Sequence, residues 1–213
     1  MIQPTKKYIN PRLAREVAKF IRESLMKEAY NQSENSDDDL SKLLVERAAK
    51  PIAPQLLSSI HPGGKKVQRE AKNLYKKCLN AYREKIRDAD PVDDMGAVLA
   101  FFIAVNYEAL HYDPVSAESL IFIERQMKYM FNSNAIWSSS KISDKQELFE
   151  QLAIISVLIA EANAQAIHQG SAAIANVKSA AYNYLHQLLG IDPKYLVITP
   201  KGISIQSPVG VCA

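Results

Sequence analysis

Glycine is scarce, at 7 of 213 residues, where about 7% is usual in soluble chains. That scarcity disfavours hairpin-rich all-β folds, phosphate loops and dinucleotide fingerprints together, because each depends on backbone that glycine adopts most easily. Cysteine is scarcer still. Cys78 and Cys212 are too few for a disulfide framework; they either form one bridge from tail to body or stand as unrelated thiols. Excess charge is also missing. Lys and Arg number 26 against 23 Asp and Glu, a net +3, too little for nucleic-acid binding by bulk charge alone. The longest apolar run, Met95–Val105, falls far short of the roughly 20 residues of a spanning helix. The opening MIQPTKKYINPRLAREV has no apolar core of a secretory signal. GxSxG, Walker, GxGxxG and HExxH patterns are absent, so no motif states a reaction or a cofactor.

What is present is ordinary globular composition, 47% hydrophobic and 23% charged. Asn10-Pro11 reads as a cap and first turn, and Leu13, Val17, Phe20, Ile21 and Leu25 repeat at helical spacing to about Tyr30. After the acidic stretch Ser33–Asp39, a helix through Leu40, Leu43 and Leu44 is expected to run to Lys50 and stop at Pro51. A short helix opens at Pro54, and a long one covers Lys65–Arg87. Asp93 or Asp94 caps the next, to His111; Ser116 caps another, through Met130. Residues 132–143 read as a linker. Ser143-Asp144-Lys145-Gln146 reads as a capping box opening an apolar helix to His168. Ala172–Leu189 follows, with Gly190 as a left-handed cap. Tyr195–Thr199 and Ile203–Ile205 flank Pro200-Lys201-Gly202, a turn signature for a small hairpin or packed tail. The expected architecture is a single all-α domain over 1–213, a bundle of about seven helices. Helices in 1–60 precede a core bundle at 65–190 and a hairpin or tail at 191–213.

Certain features of the second half resemble a family of bacterial proteins of unknown function, many made with signal peptides. They are Asp93-Asp94 before AVLAFFIAVNYEALH, Ser116 opening a helix with Gln126, SDKQELFEQLAIISVLIAE, and the ending LGIDPKYLVITPKGI. The resemblance spans about residues 90–205. It implies an all-α fold and an exported setting, periplasmic or secreted, with this chain as a mature form. It carries no catalytic residues.

Three constellations invite functional readings. The Lys65–Arg87 segment holds nine basic residues against Glu70 and Glu84, a net +7 that leaves −4 for the rest of the chain. Lys65, Arg69, Lys72, Lys76, Arg83 and Arg87 fall within roughly 60° of one another on a helix. Val67, Ala71, Leu74, Tyr75, Cys78, Tyr82 and Ile86 take the opposite side. Such a face suits an anionic lipid surface, a polyanion or an acidic protein; the plain alternative is a solvated face partly neutralised by Glu34 and Asp37–Asp39. Second, Glu108-x-x-His111 has the spacing used in di-iron bundles, and Glu150 and Glu161 share a stripe on a second helix. A carboxylate–imidazole metal site between them is the enzymatic alternative, weakened because the pattern needs two E-x-x-H and only one is present. Third, Trp137 lies on a polar linker. It either stacks on a sugar or enters a membrane interface, or its indole pins the linker to the bundle. A ligand-free protein-interaction scaffold is a third functional reading.

Overall fold

Thirteen of the 17 residues of helix α4 (Met95–His111) are buried, because it is apolar on every side. In the computed structural model, which describes residues 13–26, 43–85, 93–132 and 134–206, this helix is the axis of the bundle. α5 (Ala117–Asn132), α7 (Ile142–Gln169) and α8 (Ser171–Leu189) pack around it. α3 (Lys65–Lys85) lies on α7, α2 (Ala53–Ser59) bridges α3 and α7, and α1 (Leu13–Met26) rests chiefly on α8. One contiguous core joins them, with Phe102, Phe131, Phe149, Leu99 and Ile103 at its centre.

Local chemistry explains several helix ends. Asp94 accepts the Ala97 N–H at 2.8 Å and caps α4. Ser116 accepts the Ser119 N–H at 3.1 Å ahead of α5. Gly190 closes α8 at φ 66°. The chain ends its described part in an antiparallel hairpin, β1 (Leu196–Thr199) with β2 (Gly202–Ile205), in register Thr199↔Gly202. Gln126 on α5 fastens the hairpin like an extra rung: its Oε1 accepts the Ile203 N–H at 2.7 Å and its Nε2 donates to the Ile203 carbonyl at 3.0 Å. The all-α bundle with a terminal hairpin is therefore as expected.

Several local expectations are corrected. The helix expected to reach Lys50 is absent from residues 43–50. Leu43 and Val45 are buried while Leu44 is exposed, a period of two. Leu44 instead forms an isolated antiparallel bridge with Asp94, and the Val45 N–H is donated to the Asp93 carbonyl at 2.9 Å. Pairing with the α4 approach outweighs the helical spacing of the leucines. The linker at 132–143 contains a short helix, α6 (Ala135–Ser139), whose cap is Asn134, accepting the N–H groups of Ile136 and Trp137 at 2.8 and 3.1 Å. Eight helices thus stand among the described residues. The capping box does not form: α7 begins at Ile142, ahead of Ser143, and its N-cap Lys141 makes no side-chain cap bond. Gln146 turns to tertiary partners instead, accepting the Ala48 N–H at 3.1 Å and donating to Glu150 at 2.7 Å. The Asn10-Pro11 cap, the acidic run Ser33–Asp39, Ile86, Arg87 and Cys212 lie outside the described residues.

Candidate functional site

Helix α3 turns Ala71, Tyr75, Cys78, Leu79 and Tyr82 into the core. Lys65, Lys66, Arg69, Lys76 and Lys77 are exposed and Lys72 is half-buried. Among the described residues, no carboxylate pairs with any of these six within 4.0 Å. Lys72 instead donates to the Gln55 side chain on α2, and Gln68 donates to the carbonyls of Ser59 and His61 at 3.3 and 3.4 Å. The apolar side expected for Val67 and Leu74 is corrected: both are exposed, at 41% and 49%, because the neighbouring elements cover only the arc from Cys78 to Leu79.

Arg83 leaves the basic face. Its guanidinium grips Asp93 with both arms, Nε to Oδ1 at 3.1 Å and Nη2 to Oδ2 at 3.0 Å. Arg47 holds the same carboxylate from the other side, Nη2 to Oδ1 at 3.0 Å and Nε to Oδ2. Beside it Asp94 faces Lys128, 3.6 Å away, and Lys128 also donates to Glu124 at 2.7 Å. Gly96 makes room for that lysine, since a Cβ there would collide with Lys128 Cγ. Burial pushes the Asp94 carboxyl above its ordinary range, against the pull of the Ala97 N–H and the Lys128 charge. For Lys128 burial works downward, but the Glu124 hydrogen bond and the Asp94 charge outweigh it and hold the ammonium above its usual range. Tyr82, fully buried, carries a hydroxyl with no partner among the described residues. Its phenol is pushed well up, by burial first and then by Asp94 and Asp93.

This junction of three cations and three carboxylates ties the 43–50 segment, α3, α4 and α5 together at the start of α4. Sequence reading missed it. The adjacent aspartates and the i,i+4 pair Glu124–Lys128 were the visible signals, but Arg47 and Arg83 reach Asp93 across 46 and 10 positions. Its chemistry is that of a lock, because each charge is matched by its opposite.

The carboxylate–imidazole residues do not converge. Glu150 is wholly buried and accepts the N–H groups of Ile52 and Ala53 at 2.7 and 2.9 Å, capping α2. Glu108 accepts the Val115 N–H at 2.9 Å ahead of α5. His111 is exposed, its ring 4.4 Å from that of Tyr107, and Glu161 is exposed. No group of three metal-ligating side chains comes together among the described residues. Of the two readings of Trp137, the structure has the packing one. The residue is 1% exposed, edge-on to Phe131 at 5.5 Å, with Lys145 over its ring at 5.1 Å, so its indole pins the segment to the bundle. Burial, followed by the Glu161 charge, pushes the Cys78 thiol up to about 11, the opposite of an activated nucleophile. No helix among the described residues is long and apolar enough to cross a membrane.

The family of unknown function DUF6683 matches residues 46–206. The chain belongs to that family. The match is wider than the resemblance over 90–205, and takes in α2, α3 and Arg47 as well as the bundle and hairpin. Comparison with curated proteins and with solved structures gives no match. In this DUF6683 member the charge junction, the α2–α3 surface and the Glu150 cap all lie inside the matched span.

Proposed function

We propose that this DUF6683 member is a helical binding protein, with no catalytic role, that engages an anionic surface or partner through α3. The observation that carries this reading is the set Lys65, Lys66, Arg69, Lys72, Lys76 and Lys77, with Glu70 the only acid among residues 65–77. Like charges at i,i+3 and i,i+4, such as Lys65/Arg69 and Lys72/Lys76, cost a few tenths of a kcal/mol per pair. A face that served only to be solvated would intersperse acids and avoid that cost. An opposing anion removes the repulsion and turns the row into an attraction.

Retention on immobilised heparin and on anionic vesicles tests the reading. The variant Lys65→Gln/Arg69→Gln/Lys72→Gln/Lys76→Gln is expected to elute at lower salt than the parent and to bind vesicles more weakly. Unchanged retention on both supports overturns it. A periplasmic or secreted setting belongs to the same proposal and rests on the resemblance alone. Recovery of the protein only in the cytosol on cell fractionation would remove that part.

A further inference from the structure

α2 and α3 expose two kinds of chemistry side by side. Residues 51–64, PIAPQLLSSIHPGG, contain no Asp, Glu, Lys or Arg. α2 sends Ala53, Pro54, Leu57 and Ser58 inward. That leaves Leu56 and Ile60, one turn apart, exposed at 41% and 48%. The Lys72–Gln55 bond and the bonds from Gln68 to Ser59 and His61 join α2 edge to edge with α3. Leu56 directly follows Gln55, the partner of Lys72, and Ile60 directly follows Ser59, whose carbonyl takes the Gln68 bond.

A single exposed aliphatic residue needs no explanation, but two on one stripe beside a row of cations that pair with no carboxylate among the described residues do. A polyanion such as heparin would satisfy the cations and leave Leu56 and Ile60 in water. An acidic protein would need carboxylates and an apolar socket at the same spacing. An anionic bilayer offers both in layers: phosphates at the surface, and the acyl boundary about 5–10 Å beneath the headgroups. Each lysine or arginine near such a surface is attracted by about 1 kcal/mol. Long basic side chains can keep their charge at the phosphates while their stems lie along the apolar layer.

We propose that the α2–α3 surface docks on an anionic phospholipid bilayer, with Leu56 and Ile60 entering the interface as anchors and Lys65, Arg69, Lys72 and Lys76 meeting the headgroup phosphates. This deepens the anion-binding reading above and rests on it. The intact folded domain is the docking unit; α2 stays bound to α3 and to the Glu150 cap throughout.

The test sediments the full chain with phosphatidylcholine vesicles, with and without phosphatidylglycerol, and runs the same proteins over heparin. Binding is expected only to the anionic vesicles. Leu56→Ser/Ile60→Ser, both at exposed positions, is expected to lower vesicle affinity by about tenfold and leave heparin elution and circular dichroism unchanged. Inorganic phosphate at millimolar concentration should not displace the vesicles. Vesicle affinity unaltered by the serine pair overturns the anchor, and so does heparin binding without vesicle binding, while both leave anion binding intact. Failure of the glutamine variant to weaken either binding overturns the underlying reading instead.

Discussion

Glu150 on α7 accepts the backbone N–H of Ala53 at 2.9 Å, across 97 positions of sequence. Its Oε2 takes the Ile52 N–H as well, at 2.7 Å. The residue at the N-cap of α2, Ile52, has no side-chain acceptor to offer, so a buried carboxylate from another helix supplies it. Glu150→Ala is expected to cost about 3 kcal/mol or more in urea unfolding, since the two backbone bonds and the bond from Gln146 are all lost. Glu161→Ala, on the exposed part of the same helix, should stay within about 0.5 kcal/mol. Equal costs at the two positions would refute the cap.

Arg83 is expected to part company with the other basic residues of α3. Arg83→Gln breaks the two-armed grip on Asp93 and should lower stability by about 1–3 kcal/mol, with heparin elution nearly unchanged under folding conditions. Lys76→Gln should do the reverse. A variant of Arg83 that eluted early while keeping full stability would show that this guanidinium faces the ligand.

Trp137 is the only tryptophan, so fluorescence reads its surroundings directly. Buried against Phe131, it should emit at short wavelength, resist iodide quenching and show no shift when anionic vesicles are added. A blue shift on vesicle addition would place the indole at the lipid interface.

Asp94 should leave a signature in the pH dependence of stability. Its carboxyl is raised above the ordinary 3.8 chiefly by burial, so the folded state holds the proton more tightly than the unfolded chain. Protonation therefore favours folding. The contribution of Asp94 grows as pH falls through the raised folded value, is complete below 3.8, and is lost again as pH rises. Asp94→Asn keeps an acceptor for the Ala97 N–H and removes the titration. The stability difference, parent minus variant, is expected to rise as pH is lowered through that window. A pH-independent difference in urea titrations would contradict the assignment.

Tyr82 offers a substitution expected to help. Its ring packs on Phe101 and Phe149, with centroids 5.6 and 5.8 Å away, and its hydroxyl is buried without a partner among the described residues. Tyr82→Phe keeps the rings and removes an unsatisfied group, so stability should hold or rise by up to about 1 kcal/mol. A loss larger than about 1 kcal/mol would reveal a partner for the hydroxyl.

Helical periodicity and caps made the bundle legible in advance: α3, α4 and α8 lie close to where leucines, Asp94 and Gly190 put them. The segment at 43–50 was misread because Leu40, Leu43 and Leu44 fit a helix as well as a strand, and Asp93 and Asp94, its actual partners, lie far along the chain. Gln146 was misread for a related reason. A capping-box pattern records only neighbours in sequence, while this side chain bonds Ala48 and Glu150. Among the site residues, spacing put Lys65, Arg69, Lys72 and Lys76 on one side of α3, where all but half-buried Lys72 are exposed. It had no means of showing that Arg83 would be claimed by Asp93, or that Glu108 and Glu150 would be spent on backbone N–H groups.

The placement of α1 has a consequence for synthesis on the ribosome. The amphipathic helix α1 rests on α8, β2 and α7, all made well after it, and Gln126 can hold β2 only once Ile203 has emerged. At about 5–20 residues per second, the apolar side of α1, including Val17 and Ile21, must wait many seconds for its cover. Closure from so distant a pairing is slow by topology, so the newborn chain should depend on holdase chaperones in that interval more than its final stability suggests.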